Sequence, residues 1–353
     1  MESPFRFRPK RCILELTYNC NLRCQTCMLW TETYKSSRMR TRRYLTIEQI
    51  KNIQASLLKS GIERLTYLGG EPFLRKDLLA LAAHAQNCGL SAAVVTNGTL
   101  INHPIIEKII REGIFDVMIF SLDGPQLIHD RIRGIAGTHQ RATEAIKNIQ
   151  KLKKTKKLKM PKIFLYVTVS ALNWDYIESM VKTAQKLDVN AIRFLSASCL
   201  DDAIIRKTNA LFKSTVIRSH SYAVGAQLKI PKVQLPLVIK RLARVEDYAK
   251  KIGIRFQVEE YLRNGKGSKA CHFLGKDLVI SPYGDIHPCP MLPEYAIGNV
   301  IETPLDKIIC DSSAVGRVER IFALCSRKKL PVCSECCVEK VILVDNAAYL
   351  KRK

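Results

Sequence analysis

The chain has 353 residues, 47% of them apolar, with 13 cysteines and a formal net charge of +25. That length and apolar content suit one large α/β domain plus a smaller appendage, and exclude both a disordered chain and a small disulfide-stapled scaffold. No apolar run approaches the roughly 20 residues needed to span a bilayer, and MESPFRFRPKRCILEL at the start lacks a signal-peptide core. The expectation is a cytoplasmic protein with no transmembrane segment.

Basic residues gather in FRFRPKR (5–11), KSSRMRTRR (35–43) and KLKKTKKLKMPK (151–162). The simplest reading is a solvated surface. The functional alternative is attraction to a phosphorylated substrate, nucleic acid, an anionic membrane or an acidic electron donor. The runs lack interleaved aromatics and any nucleic-acid module, so nucleic acid is not the expected partner.

From the N-terminus, strands are predicted at 12–17, 64–70, 91–98, 115–124, 162–170 and 190–198. Helical patterns alternate with them. TIEQIKNIQASLLKS opens on Thr46, and LRKDLLALAAHAQNCG, HPIIEKIIREG, THQRATEAIKNIQKLKK and NWDYIESMVKTAQKLD follow. Alternation of this kind implies parallel strands with right-handed crossovers. Six units fall short of a closed eight-stranded barrel, so residues 1–200 are expected to form an open, partial (βα)6 TIM-like barrel. Residues 201–262 are basic and helical, with PKVQLPLVIKRLARVEDYAKKIG the clearest helix, and read as a linker. Residues 263–353 are rich in loops, prolines and cysteines, the composition of a small loop-rich, cysteine-ligated C-terminal domain held by metal.

The first strand runs directly into Cys20-x3-Cys24-x2-Cys27. Three thiolates on one loop can hold three corners of a [4Fe–4S] cube and leave one iron open to a small molecule. A zinc knuckle lacking a ligand and incidental buried thiols are the alternatives. Cys12 lies in the strand, too far away to be an obvious fourth ligand. Further along, Gly69-Gly70-Glu71-Pro72, Thr96-Asn97-Gly98 and Ser121-Leu122-Asp123-Gly124 close the second, third and fourth strands, and Arg133 follows a short helix later. The cysteine loop and the three strand-end motifs belong on the rim where a barrel places its chemistry.

CNLRCQTC after a strand, followed by these strand-end motifs in order, resembles the radical S-adenosylmethionine (radical SAM) superfamily. The resemblance implies a [4Fe–4S] cluster on Cys20, Cys24 and Cys27 whose open iron chelates SAM, with reductive cleavage to a 5′-deoxyadenosyl radical that abstracts hydrogen from a substrate. It further implies that Gly69, Gly70, Glu71 and Pro72 meet the methionyl amino group, and that Ser121 and Arg133 meet the ribose and carboxylate. Asn97 and Leu195, at strand ends facing the same mouth, are weaker carry-overs.

Near the C-terminus stand Cys271, Gly284-x4-Cys289 and Cys333-x2-Cys336. Their spacing suits either a tetrahedral zinc site or a fully ligated cluster. Together with IGNV (297–300) they resemble the SPASM/twitch extension of radical SAM enzymes, which implies a second, auxiliary [4Fe–4S] cluster. The shorter twitch arrangement is expected because only Cys337 follows Cys336. Cys325 and Cys337 stay open as substitutes for an assigned ligand, and Cys310 is expected in the core. The function so implied is a radical SAM oxidoreductase of a biosynthetic or maturation pathway, acting on a small-molecule or peptide substrate with oxidation through the second cluster. A flavodoxin- or ferredoxin-like protein would be the reductant. Ribosomal-peptide or RNA modification and a non-catalytic electron carrier are the alternatives.

Overall fold

The computed structural model describes residues 7–27, 29, 42–197, 200–217, 226–265, 271, 273–327 and 329–336. Cys199, Cys337 and residues 35–41 of the second basic run lie outside them.

Six strands form where the apolar runs place them: β1 (Arg11–Glu15), β2 (Arg64–Leu68), β3 (Ser91–Thr96), β4 (Val117–Ser121), β5 (Lys162–Val169) and β6 (Ala191–Ser196). They pair in chain order and in parallel. Between them run α1 (Ile47–Lys59), α2 (Leu78–Asn87), α3 (His103–Glu112), α4 (Gln126–Arg133), α5 (Thr138–Thr155) and α6 (Ile177–Lys186). Local chemistry starts them cleanly. Thr46 and Gln49 form a reciprocal capping box on α1, and Asn102 caps α3, which ends on left-handed Gly113.

Parallel strands covered on both faces need apolar residues at successive positions, which is why β4 reads VMIFS. One face packs against the helices, where Leu14, Tyr67, Phe120 and Phe194 are fully buried. The other face points inward. There Ala93, Val117, Ile119, Phe164, Tyr166 and Ala191 form a separate cluster, with Val95 and Leu195 packed against it. This second cluster lines the inner face of the partial barrel.

Two further strands join the same sheet from segments read as linker and appendage. After α7 (Asp202–Phe212) and α8 (Leu235–Lys251) comes β7 (Arg255–Val258), which pairs in parallel with β6 before α9 (Glu260–Asn264). RFQV is short and half polar, so its strand character comes from the edge it completes. At the opposite side β8 (Asp277–Ile280) pairs in parallel with β1, and the Arg11–Asp277 ion pair joins them. β8 then carries the antiparallel strands β9 (Asp285–His287) and β10 (Gly298–Asn299). Ten strands thus run in the order β10-β9-β8-β1-β2-β3-β4-β5-β6-β7. The appendage is fused to the barrel sheet through β8. It ends in α10 (Leu305–Cys310), α11 (Ser312–Ser326) and a 3-10 turn, Pro331–Glu335. Cys310 corrects an expectation: it closes α10 on the exposed side, while Leu305 and Ile308 take the buried positions.

Candidate functional site

The loop after β1 carries Cys20, Cys24 and Cys27, with Cys24 buried and the other two half-buried. Its backbone is gripped from three neighbouring rims. The Gly70 and Glu71 amides donate to the Thr17 and Asn19 carbonyls at 2.6 and 2.9 Å. Asn97 Nδ2 donates to Asn21 Oδ1 at 2.9 Å, and Asn21 Nδ2 reaches Thr99 Oγ1 at 2.9 Å. From α4, the Ile132 carbonyl accepts the Gln25 amide at 2.7 Å. The paired glycines follow from this closeness. A Cβ on Gly69 would overlap the Thr17 carbonyl oxygen, one on Gly70 would overlap that of Asn19, and Gly69 also holds φ +135°.

Glu71 lies beneath this rim, 1% exposed. Its carboxylate accepts from Thr96 Oγ1 and the Asn97 amide, both at 2.8 Å, and from the Phe73 amide at 3.1 Å. Burial raises its pKa against the lowering effect of those bonds. Glu71 thus ties the Gly69–Pro72 turn to the end of β3, and Asn97 ties that strand end to Asn21 of the cysteine loop. Pro72 opens the 3-10 turn Pro72–Leu74. Ser121 ends β4 half-buried, and Leu195 sits against the inner cluster.

Arg133, at the end of α4, reaches the cysteine loop. Nη2 pairs with Asp123 Oδ2 at 2.6 Å, Nη1 donates to Cys24 Sγ at 3.7 Å, and the buried Nε has no acceptor among the described residues. Burial works against this charge, but Asp123 and the Cys24 and Cys27 thiols outweigh it and hold the pKa above the usual value. Asp123 is a partner the motif contained without revealing its role. His129 is another: its Nδ1 accepts the Asp123 amide at 3.1 Å, and burial together with Arg133 pushes its pKa down to about 2. The ring is therefore neutral, with its proton on Nε2. Without a ligand, burial pushes the Cys27 thiol up to about 11 and raises Cys20 as well. A bound metal would reverse that, because coordination deprotonates thiols.

The second cysteine set gathers in one pocket under α11. Cys271, Cys289, Cys325, Cys333 and Cys336 line it together with Phe273, Leu274, Pro288, Met291, Ile321 and Val332. The structure thus brings Cys325 among the four thiols assigned from spacing, with its Sγ 3.1 Å from that of Cys333. Cys325, left open from the sequence as a substitute ligand, reaches the pocket from α11, eight residues before Cys333. Contacts with Cys271, which lower it, and with Cys333, which raise it, combine with burial to push the Cys325 thiol up to about 12. Burial also raises Cys289, and the Cys325 contact followed by burial raises Cys271. No three His, Cys, Asp or Glu side chains among the described residues are drawn tightly enough to hold a single metal ion.

Residues 14–205 match the model of the radical SAM superfamily, and residues 271–337 match an iron–sulfur cluster-binding domain, SPASM. An AdoMet-dependent heme synthase of Methanosarcina barkeri is 26% identical over 304 residues, covering 85% of this chain and 82% of the synthase. A PqqA peptide cyclase of Bradyrhizobium diazoefficiens is 28% identical over 139 residues, which are 39% of this chain and 35% of the cyclase. In fold, the chain is similar to Streptococcus suis SuiB bound to precursor peptide SuiA, with a TM-score of 0.66 and 16% identity. That match covers 94% of this chain and 72% of SuiB. Among the described residues no helix is long and apolar enough to cross a membrane.

Proposed function

The chain belongs to the radical SAM superfamily, and on that premise we propose that it abstracts a hydrogen atom from a peptide or small-molecule substrate and oxidises the resulting substrate radical by passing one electron to an auxiliary cluster. When bound, the [4Fe–4S] cluster and SAM supply the 5′-deoxyadenosyl radical that performs the abstraction. The residues present fit both groups. Cys20, Cys24 and Cys27 would hold the cluster. The observation that carries the reading is Arg133, whose guanidinium lies against Cys24 with Nε unmet in a buried place. One donor serves the thiolate side, and the orphan is suited to the carboxylate of SAM. The Gly70 and Glu71 amides are already bonded to the loop, so the Gly69–Pro72 turn is left to contribute acceptors, the chemistry an amino group requires. Ser121 supplies a hydroxyl on the next strand end.

Cys271, Cys289, Cys333 and Cys336 would hold the auxiliary cluster. A four-thiolate set leaves no iron open, so this site would carry electrons and leave substrate binding to the barrel. The peptide half of the substrate reading draws on the cyclase and on SuiB, whose names state peptide substrates or partners. The heme synthase supports the small-molecule half.

Anaerobic reconstitution followed by reduction with dithionite tests the whole reading. About eight irons per chain and release of 5′-deoxyadenosine from SAM are expected. Zinc in place of half the iron would remove the auxiliary cluster, and no 5′-deoxyadenosine under any condition would remove the radical chemistry.

A further inference from the structure

The inner face of the barrel carries a buried apolar cluster. Ala93, Val117, Ile119, Phe164, Tyr166 and Ala191 make its buried lining. Into that lining β6 places Arg193, between Ile192 and Phe194, which face the helices. Arg193 is 2% exposed. Neither Nε nor Nη1 has an acceptor among the described residues, and its Cζ lies 5.7 Å from the Tyr166 ring centroid. Glu259, buried between the end of β7 and the start of α9, accepts from the Ser196 amide and hydroxyl.

Such a charge is expensive. Removing a guanidinium from water costs several kcal/mol, whereas cation–π contact returns about 2 kcal/mol at best. An apolar side chain of the same length would serve the core better. The charge is explained if the inner face receives an anion.

Register says where that anion would lie. Ser121 pairs with Tyr166, Tyr166 with Arg193, and Arg193 with Gln257, so all four stand on one rung across β4 to β7. Asn97 follows Thr96, which pairs with Phe120, and so falls on the same rung as Ser121. At about 4.8 Å per strand, Arg193 is about 10 Å across the barrel mouth from Ser121. That is the reach of a small molecule or one side chain, and the formal charge of +25 favours acidic ligands in general.

We propose that Arg193 is the anchor for an oxyanion of the substrate, a carboxylate or phosphate group, and so turns the substrate's reacting carbon towards the SAM side of the barrel. This rests on the radical SAM reading for its orientation, but the anion site stands on its own geometry and can be measured without turnover.

The probes are propionate and methyl phosphate, observed by saturation-transfer and 31P NMR with the anaerobically reconstituted protein. The wild type is expected to bind at least one, and the tighter probe identifies the group. Arg193→Met should weaken that binding by about 10- to 100-fold, the range of a charged hydrogen bond, while Arg193→Lys retains part of it. The Met variant should also keep its iron and melt no lower than the wild type, since it removes an uncompensated charge. Three results would overturn the proposal: neither probe binding, equal binding by the Met variant, or a lower melting temperature that makes Arg193 structural. A loss of SAM affinity with no change in probe binding would likewise overturn it and assign the guanidinium to SAM. Wild-type release of 5′-deoxyadenosine is scored separately, so failure of the anion site and failure of the radical reading cannot be confused.

Discussion

The two cysteine sites are built in opposite ways. The first is a polar clamp: a short loop held by backbone amides and by the Asn21–Asn97 bond, with the Glu71 carboxylate fixing Asn97 from below and Arg133 against one thiol. The second is an apolar pocket whose polar content is almost entirely sulfur. A clamp fixes the direction in which an open ligand position points and offers unmet donors to what binds there. A sulfur-lined apolar pocket lowers the local dielectric and gives a substrate little to grip, which suits electron transfer. The difference separates the site that should do chemistry from the site that should serve it.

Exchanging the thiols tests that contrast most severely. Replacing Cys20, Cys24 and Cys27 together by Ala should leave about half the iron and no detectable 5′-deoxyadenosine. Replacing Cys271, Cys289, Cys333 and Cys336 by Ala should also remove about half the iron, yet leave reductive cleavage of SAM measurable in the absence of substrate. If both variants lose cleavage equally, the pocket is part of the reacting site and the division fails.

The clamp itself is the next target. In Gly70→Ala the added methyl collides with the Asn19 carbonyl, one residue from Cys20. Displacing the loop by about 1 Å should lower the rate of 5′-deoxyadenosine release by about 10²-fold with iron content retained. A rate within twofold of wild type would show that the loop position does not matter. Cys325→Ala probes the pocket in turn. Iron should stay at the wild-type level if the four spaced cysteines are the ligands, and a loss of about four irons would put Cys325 among them.

Much of the clamp was legible because it is local in sequence. Each contributing residue sits at the end of an apolar run, so the cysteine loop, Gly69-Gly70-Glu71-Pro72, Thr96-Asn97 and Ser121 could be placed on one rim before any coordinates. What the side chains do there was less legible. The bonds of the Glu71 carboxylate to Thr96 and the Asn97 amide, and of Asn97 to Asn21, join separate strand ends, and a motif does not reveal such pairings. β7 was hidden because RFQV has no strand signature apart from the edge it completes. β8 was hidden by distance, since its partner β1 lies more than 250 residues earlier. Arg193 escaped for a related reason: it lies inside an unremarkable strand, and only packing shows its guanidinium buried without acceptors for Nε and Nη1 among the described residues. Cys325 is a candidate in the sequence, but only packing brings it to the pocket.

Asp123 links the clamp to the helix layer, and its removal should be felt in stability. Its side chain is wholly buried against Arg133. Asp123→Asn leaves that guanidinium without a counter-charge and should cost about 3–5 kcal/mol in chemical denaturation. The pocket offers no comparable ion pair among the described residues, so single substitutions of its apolar lining, such as Ile321→Val, should cost about 0.5–1.5 kcal/mol.

The last effect concerns pH and is read at the clamp. His129 is held neutral, with a folded pKa of about 2 against an ordinary value of 6.5. A depressed pKa of this kind favours the unfolded state once that state takes up the proton. Stability is therefore complete above pH 6.5 and falls by about 1.4 kcal/mol per pH unit as pH drops towards 2. His129→Gln keeps a side chain able to accept the Asp123 amide but cannot titrate, so its denaturation midpoint should vary less between pH 6.5 and 5 than that of the wild type. Equal slopes for the two proteins would mean that His129 is solvated in solution, and that the Asp123–Arg133 pair is not sealed behind it.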